Sequence, residues 1–227
     1  MILKFLRFES ELTIEPGHAV TLEVENRRLF SRMVVALRSE GGEQAIEPYA
    51  LWDAAGKKQA PRGALMVLNS LPEVPFDDRT LLGKLYGKLA LAMNEDPVLS
   101  TELTQAATHL EGLLLDRSVE FWGNYRFDTA WNVAQMLKAF SFKPDADGEE
   151  PLLDQLVALF GLCCDVGLEK TIALVNAKSF LEPEELSELV SQAFFYGRAL
   201  LLLESWPDEN RYDWERKTRI DQWFLEN

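Results

Sequence analysis

The chain has 227 residues, 47% hydrophobic and 26% charged. That is the profile of a soluble globular protein with room for one sizeable domain or a domain carrying an insertion. Its 37 acidic residues outnumber 23 basic ones, giving a formal net charge of −14, which argues against a generally basic nucleic-acid binder but leaves room for a local basic surface. No apolar run approaches the roughly 18 residues of a membrane helix, and MILKFLRFES has no signal-peptide core, so a cytoplasmic location is expected.

In chain order, ILKFLRF (2–8) and AVTLEV (19–24) are short β-prone runs, with the turn signal PGH before the second. Leu29, Phe30, Met33, Val34 and Leu37 follow helical spacing, with Asn26 placed as N-cap and Gly41-Gly42 beyond the end. PYALWD (48–53) and ALMVLNS (64–70) read as strands around the basic loop AGKKQAPRG.

The proline-punctuated LPEVPFDD (71–78) ends this part, and strand signals then vanish until Thr171. One helical stripe runs through Leu81, Leu82, Leu85, Leu89 and Met93. A second runs through Leu99, Leu103, Ala106, Ala107, Leu110, Leu113 and Leu114. A third holds Val133, Met136, Leu137 and Phe140. KPDADGEEP (143–151) is a solvated linker, and Leu152, Leu153, Leu156, Val157 and Phe160 form a fourth stripe.

TIALVN and ALLLLE are continuously apolar, as strands covered on both faces must be. Between them, Leu186, Leu189, Val190, Ala193 and Phe194 form a helix stripe, with Pro183 and two acids at its start and Gly197 at its exit. Two such strands around one helix imply a right-handed parallel βαβ unit. The expected architecture is an α/β parallel-sheet body of residues 1–74 and 146–227, interrupted by an all-helical insertion at 75–145.

Such a body raises the question of nucleotide chemistry. A phosphate loop needs G-x-x-x-x-G-K-[ST] after an early strand, where backbone amides surround the phosphates. After AVTLEV the chain instead reads ENRRLFSR, without glycine. Gly83-Lys84 and Gly87-Lys88 fall inside a helical stripe and read as exposed helix residues. The strand-end carboxylates Glu23, Glu204 and Asp53 are magnesium candidates, set against the commoner structural role of such groups.

There is no G-x-S-x-G elbow. Cys163 and Cys164 are adjacent, unsuited to pairing with each other, and with His18 and His109 they make no zinc spacing; core thiols and surface imidazoles are expected. No catalytic group stands out, so the chain is expected not to be an enzyme. FWGNYRF (121–127) and WERKTRIDQWFLEN (214–227) place aromatics beside arginines. They suit base stacking, or, as aromatics more often do, packing or a subunit contact.

Several stretches together resemble the ring-forming adaptation protein of type II-A CRISPR systems. LEVENRRLFSRMV (22–34) is similar to that family's strand and Phe-Ser-basic helix. LMVLNSLPEVPFDDRTLLGKLYGKL (65–89) is similar to its strand, loop and first insertion helix, and NEDPVLSTEL (94–103) to its helix junction. LVNAKSFLEPEELSELV and LLLLES (within 174–205) resemble its most distinctive segment, and IDQWFLEN its tail. Colinearity across nearly the whole chain carries the resemblance.

The resemblance implies a body shaped like a phosphate-loop ATPase without a working nucleotide site. It implies a homotetrameric ring whose hole takes ends of double-stranded DNA. It also implies cooperation with the CRISPR integrase and effector nuclease during spacer acquisition, and calcium support of the assembly. Acidic residues outside and basic residues inside such a ring would reconcile a net −14 with phosphate contact.

The candidate DNA contacts are Arg32, at the family's basic helix position, its neighbours Arg27 and Arg28, Lys138 and Lys143 at the end of the last insertion helix, and the local cluster Lys57, Lys58 and Arg62. For each alone, an ordinary solvated side chain is the competing reading. The calcium candidates are Asp116, Glu120 and Asp128, where the family carries a denser acidic run; Gln135 stands where it carries a glutamate. Two other readings stay open: a magnesium-dependent nuclease or nucleotide hydrolase with a divergent site on this fold, and a protein–protein scaffold without DNA affinity.

Overall fold

The computed structural model describes residues 1–127, 130–145 and 149–226. The chain opens with an antiparallel pair, β1 (Ile2–Phe5) and β2 (Leu12–Thr13). β3 (Ala19–Val24) runs into helix α1 (Arg27–Arg38). β4 (Tyr49–Trp52) returns to pair antiparallel with β1, and β5 (Lys58–Gln59) adds to β4, completing a four-stranded sheet of order β2-β1-β4-β5. A single helical turn, α2 (Pro61–Ala64), leads into β6 (Leu65–Leu68).

Three helices follow: α3 (Arg79–Glu95), α4 (Pro97–Ser118) and α5 (Val133–Ala139). Asp78 caps α3 by accepting from the Thr80 and Leu81 amides. Asp96 does the same for α4 through Val98 and Leu99, with Pro97 behind it. Helix α6 (Leu152–Asp165), β7 (Thr171–Val175), α7 (Pro183–Phe195), β8 (Leu200–Glu204) and β9 (Glu215–Ile220) complete the chain.

The second sheet is all parallel, in the order β6-β7-β8-β3-β9. One face of it packs on α1 and the antiparallel sheet. Val20, Leu22, Val24, Leu201 and Leu203 meet Leu29, Met33 and Leu37 of α1 and Leu3, Tyr49 and Leu51 in one buried cluster. The other face presents Ile172, Leu174, Leu200 and Leu202. Helices α6 and α7, packed together, bury Leu156, Leu159, Phe160, Leu189 and Val190. Burial on both faces is what makes β7 and β8 read as unbroken apolar runs.

The chain divides into two compact units, Met1–Pro75 with Ala146–Asn227, and Phe76–Asp145. The first is the α/β body. The second is helical and has a small core of Tyr86, Val133 and Leu137, flanked by Leu82, Leu85, Leu89 and Met93.

Two readings of the sequence need correction. The stripe expected to bury one side of α4 does not do so: Ala107 is its only buried residue among the described ones, and Leu110, Leu113 and Leu114 are each about half exposed. The tail read as an aromatic and basic patch contains β9, an edge strand. Its ERKTRI has no apolar alternation, because its polar side chains face other charges rather than a hydrocarbon core.

Candidate nucleic-acid interface

Strand β3 leads into α1 through only Glu25 and Asn26, so no loop exists there to surround a phosphate. The first amides of α1, the groups a phosphate would take, already have a partner. Asn26 Oδ1 accepts from the Arg28 and Leu29 N–H groups, both at 3.1 Å.

Beside β3 the chain crosses over its own sheet. Strands β8 and β9 flank β3 and run the same way, so residues 205–214 must carry the chain back past β3. On one face, Thr21 and Glu23 of β3 align with Leu202 and Glu204 of β8 and with Lys217 and Arg219 of β9. The Asp208 amide donates to Glu23 Oε1 at 3.0 Å, fixing the crossing segment to the sheet.

Charges fill the space between. Lys178, from the turn after β7, reaches Glu215 at 2.5 Å, Asp208 at 3.2 Å and Glu23 at 3.7 Å. Lys217 lies 3.4 to 3.6 Å from the same three carboxylates. Arg219 binds Glu23 at 3.2 Å and Glu209 at 3.0 Å. The Tyr212 ring, stacked on Trp214, lies about 5.5 Å from both lysine nitrogens.

Burial pulls the Lys178 pKa down, but Glu215 and Asp208 more than offset it, and the net shift is upward. Glu204 is treated differently. Burial pushes its carboxyl up to about 7, against the backbone N–H groups of Lys178 and Ala177. Each cation of the cluster thus faces at least one carboxylate, as charges taken out of water require.

The magnesium candidates separate. Glu23 and Glu204 are neighbours, but Asp53 lies at the end of β4 in the other sheet, where it closes a hairpin by accepting from Ala55 N, Lys57 N and Gln59 Nε2. The Lys57 amide is the main cause that holds its pKa below the usual carboxylate value. Of the adjacent cysteines on α6, Cys163 is in the core and Cys164 is exposed.

The basic candidates fall into three places. Arg27 and Arg28 are exposed at the start of α1, Arg27 with its guanidinium 5.1 Å from the Trp206 ring. Arg32 is exposed on α1 but already partnered, donating to the Ile46 carbonyl at 2.7 Å and pairing with buried Glu47 at 3.1 Å. Lys58 and Arg62 lie toward the other end of α1, paired with Glu43 at 2.7 Å and Glu40 at 4.0 Å; Lys57 is exposed beside them. Twelve helical residues set those two ends about 18 Å apart.

The helical unit holds the third group. Lys138 and Lys143 line one cleft of about 590 Å³ together with Arg79, which the sequence reading missed. Arg79, Leu82, Gly83 and Tyr86 are spaced i, i+3, i+4, i+7, one face of α3, and that spacing was the available signal. The end of α5 closes the cleft through a Schellman turn: Phe142 N–H donates to Leu137 O and Ser141 N–H to Lys138 O, with Ser141 at φ +53°. Tyr86 Oη donates to Phe142 O at 2.7 Å and anchors this turn on α3.

Of the calcium candidates, Asp116 is exposed on α4, Glu120 pairs with Arg117 at 2.9 Å, and Asp128 lies outside the described residues. Among the described residues, no three His, Cys, Asp or Glu side chains group as a metal site. Two exposed carboxylates are far short of the roughly six to eight oxygens calcium takes, so the described residues alone do not fit that ion.

No protein-family model matches the chain, and no curated protein matches it. Among solved structures, its fold is similar to that of Stu0660 of Streptococcus thermophilus, with a TM-score of 0.62 and 14% identity, over 97% of this chain and 74% of that one.

Proposed function

We propose that this chain is a non-catalytic protein of CRISPR spacer acquisition that binds ends of double-stranded DNA through the hole of a homotetrameric ring. The observation that carries the reading is the likeness to Stu0660 over 97% of the chain, helical unit included, which coincides with the colinear sequence resemblance to the type II-A adaptation family. Fold alone does not set function, and the residues add two supports. Beside β3 the chain has no phosphate loop and sets its own Lys178, Lys217 and Arg219 against carboxylates, which supports a non-catalytic reading. The cations left without an ion pair or hydrogen bond among the described residues include Arg28, Arg79 and Lys138, as phosphate contact requires.

Assembly is supported by the uncovered side of α4. Leu110, Leu113 and Leu114, with Phe121 and Tyr125 beyond the helix, make an apolar surface of the kind a subunit contact uses. The integrase and effector nuclease are the expected partners, and the cytoplasm the expected compartment. Any calcium effect would need ligands from outside the described residues or from a second copy.

Light scattering and a mobility-shift assay test this reading. The expected result is a mass of four chains, and binding of linear but not circular duplex that weakens steeply with salt. A monomer at micromolar concentration, or equal binding of both topologies, would overturn it. Magnesium-dependent nucleotide turnover would replace it with the hydrolase reading.

A further inference from the structure

We infer that the cleft between the start of α3 and the end of α5 is a binding site for a nucleotide bearing a 5′-phosphate monoester, and that on DNA its ligand is the phosphorylated 5′ terminus. The second half rests on the DNA-end reading above; the first does not.

The charge of the cleft selects the ligand class. Among the described residues, Arg79, Lys138 and Lys143 face it, and Asp77 is its one acid, 3.4 Å from Lys143. The balance of these described residues is two positive charges, in a chain whose net charge is −14. Arg79 and Lys138 have no ion pair or hydrogen bond among the described residues. A phosphate monoester carries close to two negative charges at neutral pH, whereas each internal diester carries one, so this balance favours a terminal phosphate. A guanidinium with two ammonium groups can satisfy three phosphate oxygens at once.

The size and walls select the rest. A volume of about 590 Å³ exceeds what a bare anion needs and falls in the range of small-molecule sites. Leu82 and the buried ring of Tyr86 offer an apolar wall for a sugar or base. Gly83 keeps the floor open, since a Cβ placed there would meet nothing within 4 Å. The site is also held in shape, because the turn carrying the lysines is tied to α3 by the Tyr86 hydroxyl.

The test uses the full chain, with two duplexes differing only in 5′-phosphate or 5′-hydroxyl ends, and with a nucleoside 5′-monophosphate against its nucleoside. The parent is expected to bind the phosphorylated duplex about tenfold tighter than the hydroxyl duplex. Arg79→Gln, and independently Gly83→Leu, which fills the cleft while keeping every cation, should bring that ratio close to one. Equal binding of both duplexes by the parent, or a preference that survives both variants, overturns the DNA-terminus assignment and leaves the DNA-end reading standing. If the parent binds neither duplex, the DNA-end reading fails. The mononucleotide then decides the cleft: binding lost in Arg79→Gln supports a free-nucleotide site, and no binding overturns the inference entirely.

Discussion

Glu23 and Glu204 stand side by side in register on adjacent parallel strands, and the fold treats them in opposite ways. Glu23 takes Lys178, Lys217 and Arg219, at 3.7, 3.6 and 3.2 Å. Glu204 takes the Lys178 backbone N–H at 3.2 Å, and its ionisation is held back by burial. One sits inside a network of ion pairs; the other is divided between its protonated and ionised forms near neutral pH.

Glu204 therefore makes stability depend on pH. Its carboxyl titrates at about 7 in the folded chain against an ordinary 4.5. Between those values the folded state holds a proton that the unfolded chain has released. The cost of Glu204 is absent below 4.5, grows through the window and is complete above about 7. Glu204→Gln removes it, while the amide oxygen can still accept from Lys178 N–H. The variant should exceed the parent in stability by about 1–3 kcal/mol near pH 8, with the difference vanishing toward acid, as read by urea melts across pH.

Lys178 is the hub of the ion cluster beside β3. Lys178→Met would leave Glu215, which is buried, and Asp208 without their closest cation. The expected loss is about 3 kcal/mol, by analogy with other broken buried pairs. Guanidinium melts would detect it. An unchanged midpoint would mean that Lys217 alone supports all three carboxylates.

Asn26 holds the amides at the entry to α1. Asn26→Ala should cost about 1 kcal/mol and Asn26→Gly only a few tenths, the ordinary scale for a cap. Thermal unfolding distinguishes the two, and equal losses would show that the side-chain contacts at 3.1 Å contribute nothing.

Ser141 adopts φ +53°, a left-handed conformation that glycine accepts without strain. Ser141→Gly should stabilise the helical unit by about 0.5–1 kcal/mol, the relief of strain being partly offset by the freedom glycine gains when unfolded. Amide exchange around Lys138 and Phe142 would report it locally.

The uncovered side of α4 gives a test of assembly. Leu114→Glu puts a charge at a position already half exposed, so the isolated chain should fold normally. If this face is a subunit contact, the variant should lower the solution mass, or raise the concentration needed for assembly by tenfold or more. An unchanged mass would place the contact elsewhere.

Much of the fold was legible in residue order. TIALVN and LLLLE pointed to β7 and β8, since strands buried on two faces need uninterrupted apolar side chains, and AVTLEV to β3 as a β-prone run. The α1 cap at Asn26 and the start of α7 at Pro183 were equally plain. Strand β9 was not, because ERKTRI has the composition of a solvated tail until Glu23, Asp208 and Glu215 are placed opposite it. Arg79 was passed over for a related reason: its helical spacing to Tyr86 is visible, but the approach of Lys138 and Lys143 depends on how α5 ends.

By itself the sequence determined most of the element types, β9 excepted, the lack of a phosphate loop after β3, and the change from mixed to helical character near residue 75. These are local consequences of side-chain periodicity, capping and the absence of glycine. Tertiary structure alone decided which charges meet. It set Lys178 against Glu215, paired Arg32 with Glu47, separated Asp53 from Glu23 and gathered Arg79, Lys138 and Lys143 around one cleft. Coulombic partnership depends on distance in space, and residues 23, 178 and 217 become neighbours only when the sheet order brings β7, β8, β3 and β9 together.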